Sequence, residues 1–303
     1  MRLIGTVTNK KPWIDYSNLK TLQSCPRQYY WAVKQNLRPA GPQPALEFGG
    51  AIHEAHEAYY VARIAGSPDQ EARQQAKQAM LPKLANLDGS DPVYNQTVAE
   101  LSLDRYFDTH LHSPNQPLWT ELGFALTIGE FLFVGRVDRC DMTNFGRVIY
   151  DLKTSKVVGN RWDLRLEPNA QLDAYYAALS ILTDEEYFGV GLDILFLHKD
   201  PSKAATPKRI FTGRTEQHVE AWLLNTSKWL DVLAAYEDSN VWPMNTETCN
   251  PLVGYSCRYQ TICKKYPQPF TMSEFDLMGE YEQREWVPFE ELQSGKEAPV
   301  SDN

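Results

Sequence analysis

The sequence predicts an α/β fold in which a central mixed β-sheet is flanked by helices. Three observations predict it. Apolar residues recur at helical spacing before about residue 111. Between residues 121 and 153 the apolar period drops to two. A helix, a strand and a long amphipathic helix then follow. This order of runs suits an α/β or α+β domain with a mixed sheet.

In chain order, Ser17 is placed to cap a short helix over 17–22, Pro26 opens a second turn over 26–34, and PAGPQP at 39–44 reads as a loop. A helix over 48–65 carries Ile52, Ala55, Tyr59 and Ala62 on one side and stops at Gly66. Polar helical stretches follow over 68–87 and 93–111. Leu122, Phe124, Leu126 and Ile128 then alternate with Glu121, Gly123, Ala125 and Thr127. Gly129-Glu130 turns the chain into a strand over 131–141, and Asn144-Phe145-Gly146 into a third over 147–153. Residues 167–182 are helical, 190–197 a strand, and 215–236 an amphipathic helix holding Trp222, Trp229, Leu230 and Leu233.

The length of 303 residues allows one large or two small domains. No linker precedes about residue 270. Apolar residues make up 43% and charged residues 23%, with 17 Gly and 19 Pro, which excludes collagen-like, low-complexity and wholly disordered chains. No apolar window approaches the roughly 18 residues of a membrane span, and residues 1–13 lack the apolar core of a signal peptide. The expectation is a soluble, cytoplasmic protein of bacterial, archaeal or phage origin that does not meet the membrane. The formal net charge of −9 argues at first against a nucleic-acid binder. From residue 271 onward, however, nine acids face only Arg284 and Lys296. The remainder is nearly neutral, so a local basic groove is allowed, and the acidic tail reads as a solvated terminus.

The third strand reads Val148-Ile149-Tyr150-Asp151-Leu152-Lys153. Asp151 and Lys153 share one face and Leu152 points the other way. In the preceding strand Gly135-Arg136-Val137-Asp138 sets a second carboxylate where it can converge with Asp151. Two carboxylates and a lysine suit a Mg²⁺ or Mn²⁺ site that binds phosphate and activates water. Taken singly, each residue reads equally as an exposed ion pair or a strand end. On the helix over 48–65, His53 and Glu57 lie four apart on one face and His56 is turned away; His-x-x-His lacks the His-Glu-x-x-His of zinc proteases, which excludes that class. Gln171 and Tyr175 also lie four apart, on the helix after the third strand.

His53 on a helix, Asp138 on a strand, Asp151-x-Lys153 on the next strand and Gln171-x-x-x-Tyr175 on the following helix together resemble the RecB-type branch of the PD-(D/E)XK nuclease superfamily. Tyr16-Ser17-Asn18-Leu19 and Ser24-Cys25-Pro26-Arg27-Gln28-Tyr29-Tyr30 are similar to the start of that branch. The similarity spans about residues 14–267. It implies a restriction-endonuclease-like core. Asp138, Asp151, the Leu152 carbonyl and His53 would bind the divalent metal. Lys153 would position the attacking water, Gln171 would hold Lys153, and Tyr175 would sit close to the DNA or the lysine. Glu121 and Glu57 are acids near that pocket without a place in the family's pattern.

Three of the five cysteines, Cys249, Cys257 and Cys263, crowd together, and clustered thiols in a reducing compartment ask for a metal. Within the resemblance, the sub-branch that includes the AddB nuclease and the CRISPR-associated RecB-like exonucleases holds a 4Fe-4S cluster. One of its cysteines precedes the core and three follow it. Cys25, Cys249, Cys257 and Cys263 match that order and would join the N- and C-terminal segments, although the first trailing spacing, Cys-x7-Cys, is wider than in the relatives. Cys140 reads as a core residue.

The resemblance therefore implies a nuclease domain over 1–270 with an acidic tail over 271–303. It implies a metal-dependent DNA exonuclease acting on single strands or free ends, in recombination, repair or CRISPR-adaptation processing, with a recombination, helicase or CRISPR-adaptation protein as a partner. A non-hydrolytic DNA-binding or assembly factor is the alternative. Arg136, Lys156, Arg161, Arg165, Lys199, Lys203, Lys208 and Arg209 are a pool of phosphate contacts, with Tyr29, Tyr30, Trp31 and Trp162 to stack on bases. No phosphate-binding loop occurs, since Ser294-Gly295-Lys296-Glu297 lacks both the spacing and the hydroxyl, so the chain is not by itself an ATP-driven helicase.

Overall fold

The computed structural model describes residues 2–5, 11–85, 87, 89–159, 161–251, 256–265 and 279–283. Strands are β1 (Arg2–Gly5), β2 (Trp13–Ile14), β3 (Leu37–Pro39), β4 (Gln116–Ile128), β5 (Phe131–Thr143), β6 (Gly146–Ser155), β7 (Tyr187–Phe196), β8 (Lys208–Gly213) and β9 (Tyr281–Gln283). Helices are α1 (Tyr16–Ser24), α2 (Pro26–Tyr29), α3 (Pro44–Ile64), α4 (Asp69–Leu84), α5 (Gln96–His110), α6 (Ala170–Leu182), α7 (Glu216–Ser239) and α8 (Gln260–Lys265).

One sheet runs β1-β4-β5-β6-β7-β8, with β2 beside β5. The pairs β1·β4, β2·β5 and β6·β7 are parallel and the others antiparallel, so the sheet is mixed. Helices cover both faces. On one, Phe124, Phe133, Ile149 and Ile194 pack with Leu22 of α1, Leu172 and Leu179 of α6, and Trp222 and Leu230 of α7. On the other, Leu152 and Leu195 pack with Phe48, Ile52 and Ala55 of α3, Met80 of α4 and Phe107 of α5. Removing these side chains from water drives the two layers onto the sheet, at about 25 cal/mol per Å².

Several elements differ from the sequence expectation, each for a local reason. Asp15, not Ser17, caps α1, its Oδ1 accepting from Asn18 N at 2.7 Å. A π-helical turn over Tyr30–Lys34 continues α2. Pro44 stands at the start of α3 rather than in a loop, since a proline is tolerated where no intrahelical N–H is needed. Asn169 accepts from Gln171 N and Leu172 N and sets the start of α6. β1, β2 and β8 are additions to the sheet. The acidic segment over 271–303 lies outside the described residues except for 279–283, where β9 pairs with β3 in a second, two-stranded sheet.

The aromatics named as base-stacking candidates are mostly core. Trp31 is wholly buried, and Tyr29 and Trp162 nearly so. Tyr29 stacks on Trp242 with centroids 5.8 Å apart. Arg209, named as a phosphate contact, is half-buried and turned inward, its guanidinium 3.0 Å from Asp193 and 3.5 Å from Asp141.

Candidate active site

The site forms where β5 and β6 part. Their ladder ends at the rung Arg139 to Tyr150, so Asp138 and Asp151 lie just past it. Asp138 takes over the ladder's role, its Oδ2 accepting the Leu152 N–H at 2.6 Å. In the neighbouring hairpin, Thr120 faces Arg139 and Leu122 faces Val137, which sets Glu121 opposite Asp138. Glu121 adopts a left-handed backbone conformation, φ +49°. Such a conformation costs a β-strand residue about 1 kcal/mol and is kept only where its surroundings impose it.

His53, from the middle of α3, completes this group, with Nδ1 3.4 Å from Asp138 Oδ1. One ligand atom each from His53, Glu121 and Asp138 lies within 4.8 Å of the other two. Arg136 Nε approaches Glu121 Oε2 at 2.6 Å. Asp151 stands outside this trio, its Oδ2 2.7 Å from Lys153 Nζ and its Oδ1 accepting from Gln171 Nε2 at 3.0 Å. Gln171 Oε1 accepts from Lys153 Nζ at 3.1 Å, and Gln171 Nε2 donates to the Tyr175 hydroxyl at 2.9 Å. Of the sequence-named residues, His53 and Asp138 thus meet on one side and Asp151, Lys153, Gln171 and Tyr175 on the other. Leu152 enters through its N–H and sends its side chain into the opposite core.

The electrostatics separate the acids. Burial pushes Glu121 up, and the charge of Asp138 adds to this, to about 8 despite Arg136. Burial also disfavours the Asp138 anion, but the charge and hydrogen bond of His53 and the Leu152 N–H reverse that and hold it at about 2. The His53 imidazolium is penalised by burial and favoured more strongly by Asp138, so its pKa rises. Asp151 is raised by burial and by Asp138 in spite of Lys153, and burial lowers Lys153 less than Asp151 raises it. Two carboxylates and an imidazole, one carboxylate poorly ionised for want of positive charge, are a donor set that fits a divalent cation such as Mg²⁺ or Mn²⁺. Glu121 was in view as a nearby acid without a role. Its register opposite Asp138 was the signal that could have placed it.

The family model of the PD-(D/E)XK nuclease superfamily matches residues 15–264. The chain belongs to that superfamily. No curated protein matches it significantly. Among solved structures, it is similar to a Eubacterium rectale protein provisionally named an exonuclease, at 14% identity and TM-score 0.47, over 86% of this chain and 94% of that one. It is also similar to SSO0001, at 15% identity and TM-score 0.25, over 59% and 74% respectively. Within this PD-(D/E)XK member, β5, β6 and α6 bring Asp138, Asp151, Lys153 and Gln171 together where the β5–β6 ladder ends. No helix among the described residues is long and apolar enough to cross a membrane.

The cysteines form a second locus. Cys25 ends α1, and its Sγ accepts from Asn245 N at 3.4 Å. Cys263 Sγ accepts from Trp31 Nε1 at 3.3 Å. Cys257 N donates to Cys249 O at 2.9 Å, which draws the two together across their wide spacing; residues 252–255 of the intervening loop lie outside the described residues. All four are free thiols. Burial raises the Cys257 and Cys263 thiols, and Cys25 lies close enough to both to add to the shift. Four free sulfurs, two of them accepting N–H groups, are donors of the type a metal or an iron-sulfur group takes, but no three of them come within the 4.8 Å that joins His53, Glu121 and Asp138. Cys140 is buried in the sheet's core instead.

Proposed function

We propose that this chain is a metal-dependent deoxyribonuclease that hydrolyses phosphodiester bonds from the ends of single DNA strands. The observation that carries the proposal is the adjacency, where the β5–β6 ladder ends, of the His53, Glu121 and Asp138 group to Lys153, which Gln171 and Asp151 hold in place. His53, Glu121 and Asp138 would hold Mg²⁺ or Mn²⁺, with Asp151 joining them. A divalent cation there supplies charge to the phosphate and lowers the pKa of a bound water. Lys153 positions the attacking water and stabilises charge developing at phosphorus; Gln171 fixes the lysine. Phosphoryl chemistry leaves the protein mostly positioning and charge stabilisation to do, and these residues do both.

Cys25, Cys249, Cys257 and Cys263 would hold a 4Fe-4S cluster, and DNA processing in recombination, repair or CRISPR adaptation, with a helicase or recombination protein as partner, is the matching setting. The domain reading is a nuclease over 1–270 followed by the acidic tail. The test is digestion of end-labelled single-stranded and duplex DNA by anaerobically purified protein with Mg²⁺ or Mn²⁺, beside Lys153→Ala. Metal-dependent shortening that the variant lacks is the expected result. Folded protein that binds DNA and cleaves nothing would point to the non-hydrolytic reading. Iron and sulfide assays on wild type and Cys257→Ser test the cluster, which requires both contents to fall in the variant.

A further inference from the structure

Beside Lys153 opens a cleft of about 670 Å³. It is lined by Tyr16 and Lys20 from α1, by Lys153 and by Arg161, Trp162 and Arg165 from the segment joining β6 to α6, and no Asp or Glu is among the described residues that line it. Lys20, Arg161 and Arg165 are exposed, and among the described residues none of the three has a carboxylate partner; Arg165 lies over the Trp162 ring, 4.8 Å from its centroid. The same segment carries three large apolar side chains in water: Val157, which lines the cleft, is 71% exposed, and Val158 at 60% and Leu164 at 71% stand outside its lining.

We infer that the β6–α6 segment is a single-strand clamp, with Lys20, Arg161 and Arg165 on the phosphates and Val157, Val158 and Leu164 against unstacked bases. The inference rests on the nuclease reading of the neighbouring site and names what that site selects. A cleft whose described lining carries Lys20, Lys153, Arg161 and Arg165 suits a polyanion, whatever its sequence. Duplex DNA presents phosphates and buries its base faces, so exposed valines and a leucine gain nothing from it. A single strand presents both, and apolar surface covering a base face then adds to the phosphate contacts. The cleft is continuous with Lys153, so the clamped strand is the one delivered to it. Its volume lies within the roughly 300–1,000 Å³ of sites that enclose a small ligand unit, which suits a nucleotide held out of a helix.

The test measures binding rather than turnover, with full-length Lys153→Ala protein so that the strand is not consumed. Anisotropy of fluorescently labelled single-stranded and duplex oligonucleotides is titrated for two further variants made in that background. One carries Val157→Ser, Val158→Ser and Leu164→Ser; the other carries Arg161→Ala and Arg165→Ala. The side chains changed are exposed, and an unchanged melting temperature verifies the fold. The clamp requires tighter binding of single strands than of duplex. It requires the serine variant to lose about tenfold in single-strand affinity while duplex affinity stays within about twofold. The arginine variant should weaken both and flatten the salt dependence. Equal affinity for both forms before the serine changes, or an equal loss or no loss after them, would overturn the inference. DNA digestion with an ineffective serine variant would sink the clamp alone. A working clamp on a protein that cleaves nothing would sink the nuclease reading alone.

Discussion

Gln171 grips Lys153 through its carbonyl oxygen, 3.1 Å from Nζ, and its amide nitrogen is spent on Asp151 and Tyr175. One side chain thereby fixes the lysine relative to the carboxylate beside it. Gln171→Ala should lower kcat on single-stranded DNA by about 10- to 100-fold with little change in KM, because a displaced ammonium misses the reacting geometry but not the substrate. Lys153→Ala should cost about 100- to 1,000-fold in kcat. Steady-state kinetics of the two variants check this, and a Gln171→Ala defect confined to KM would remove the positioning role.

Glu121 would give the proposed metal binding a pH dependence. Its carboxyl, raised to about 8, is largely protonated at neutral pH without a cation and must ionise to act as a ligand. Cation binding should therefore release a proton below pH about 8, and apparent affinity should rise with pH up to that point. Calorimetric Mn²⁺ titrations in buffers of different ionisation enthalpy measure the proton released. Glu121→Gln should weaken binding and reduce that release, leaving the share of His53, whose ring must also lose its proton to act as a ligand.

Behind the site, Arg139 is wholly buried and paired with Asp193 at 2.6 Å and Asp141 at 2.7 Å, with His56 Nε2 at 2.6 Å from its guanidinium. Arg139→Ala leaves Asp193 and Asp141 to Arg209 alone, whose guanidinium lies 3.0 Å from the first and 3.5 Å from the second. Loss of one partner from such a pair costs about 3–5 kcal/mol, to be read as a lowered urea midpoint. Arg209→Ala, which leaves Arg139 to serve both acids, should cost less.

Acid should weaken the fold through histidine. Burial and Arg209 lower His110 to about 4, against an ordinary value near 6.5. The folded state thus prefers the neutral ring. Its contribution is fully present above about pH 6.5 and is lost as pH falls toward 4, on the order of 2 kcal/mol. Asp15, raised by burial to about 6, runs the other way, since its protonated form suits the fold and its contribution fades as pH rises through 6. Melting temperatures of wild type and His110→Gln from pH 7.5 to 4 isolate the histidine, and parallel curves would exclude it.

Much of the site could be read in advance where one local periodicity controls geometry. Alternation in β6 put Asp151 and Lys153 on one face and Leu152 in the far core, and the four-residue spacing of α6 put Gln171 and Tyr175 side by side. What escaped depends on long-range register or on desolvation. β1 and β2 join the sheet by parallel pairing with strands more than 100 residues away, and no local pattern encodes that. Arg209 looked like a groove cation because its two carboxylate partners lie 16 and 68 residues away in the chain. Glu121 needed both its hairpin register and its left-handed backbone before it could be set beside Asp138.

The cysteine locus is sewn from both ends of the chain. Arg27 Nε donates to Trp242 O at 2.6 Å, Asn245 Nδ2 to Ser24 O at 2.8 Å, and the Tyr259 hydroxyl to Leu37 O at 2.7 Å. During synthesis, therefore, Cys25 emerges more than 200 residues before its companions and waits with its neighbourhood unbuilt. The four sulfurs can be gathered only once residue 263 has left the ribosome, when the sheet between them is already available to fold. Any group those thiols hold would therefore be installed late, after the strands of the sheet have been made.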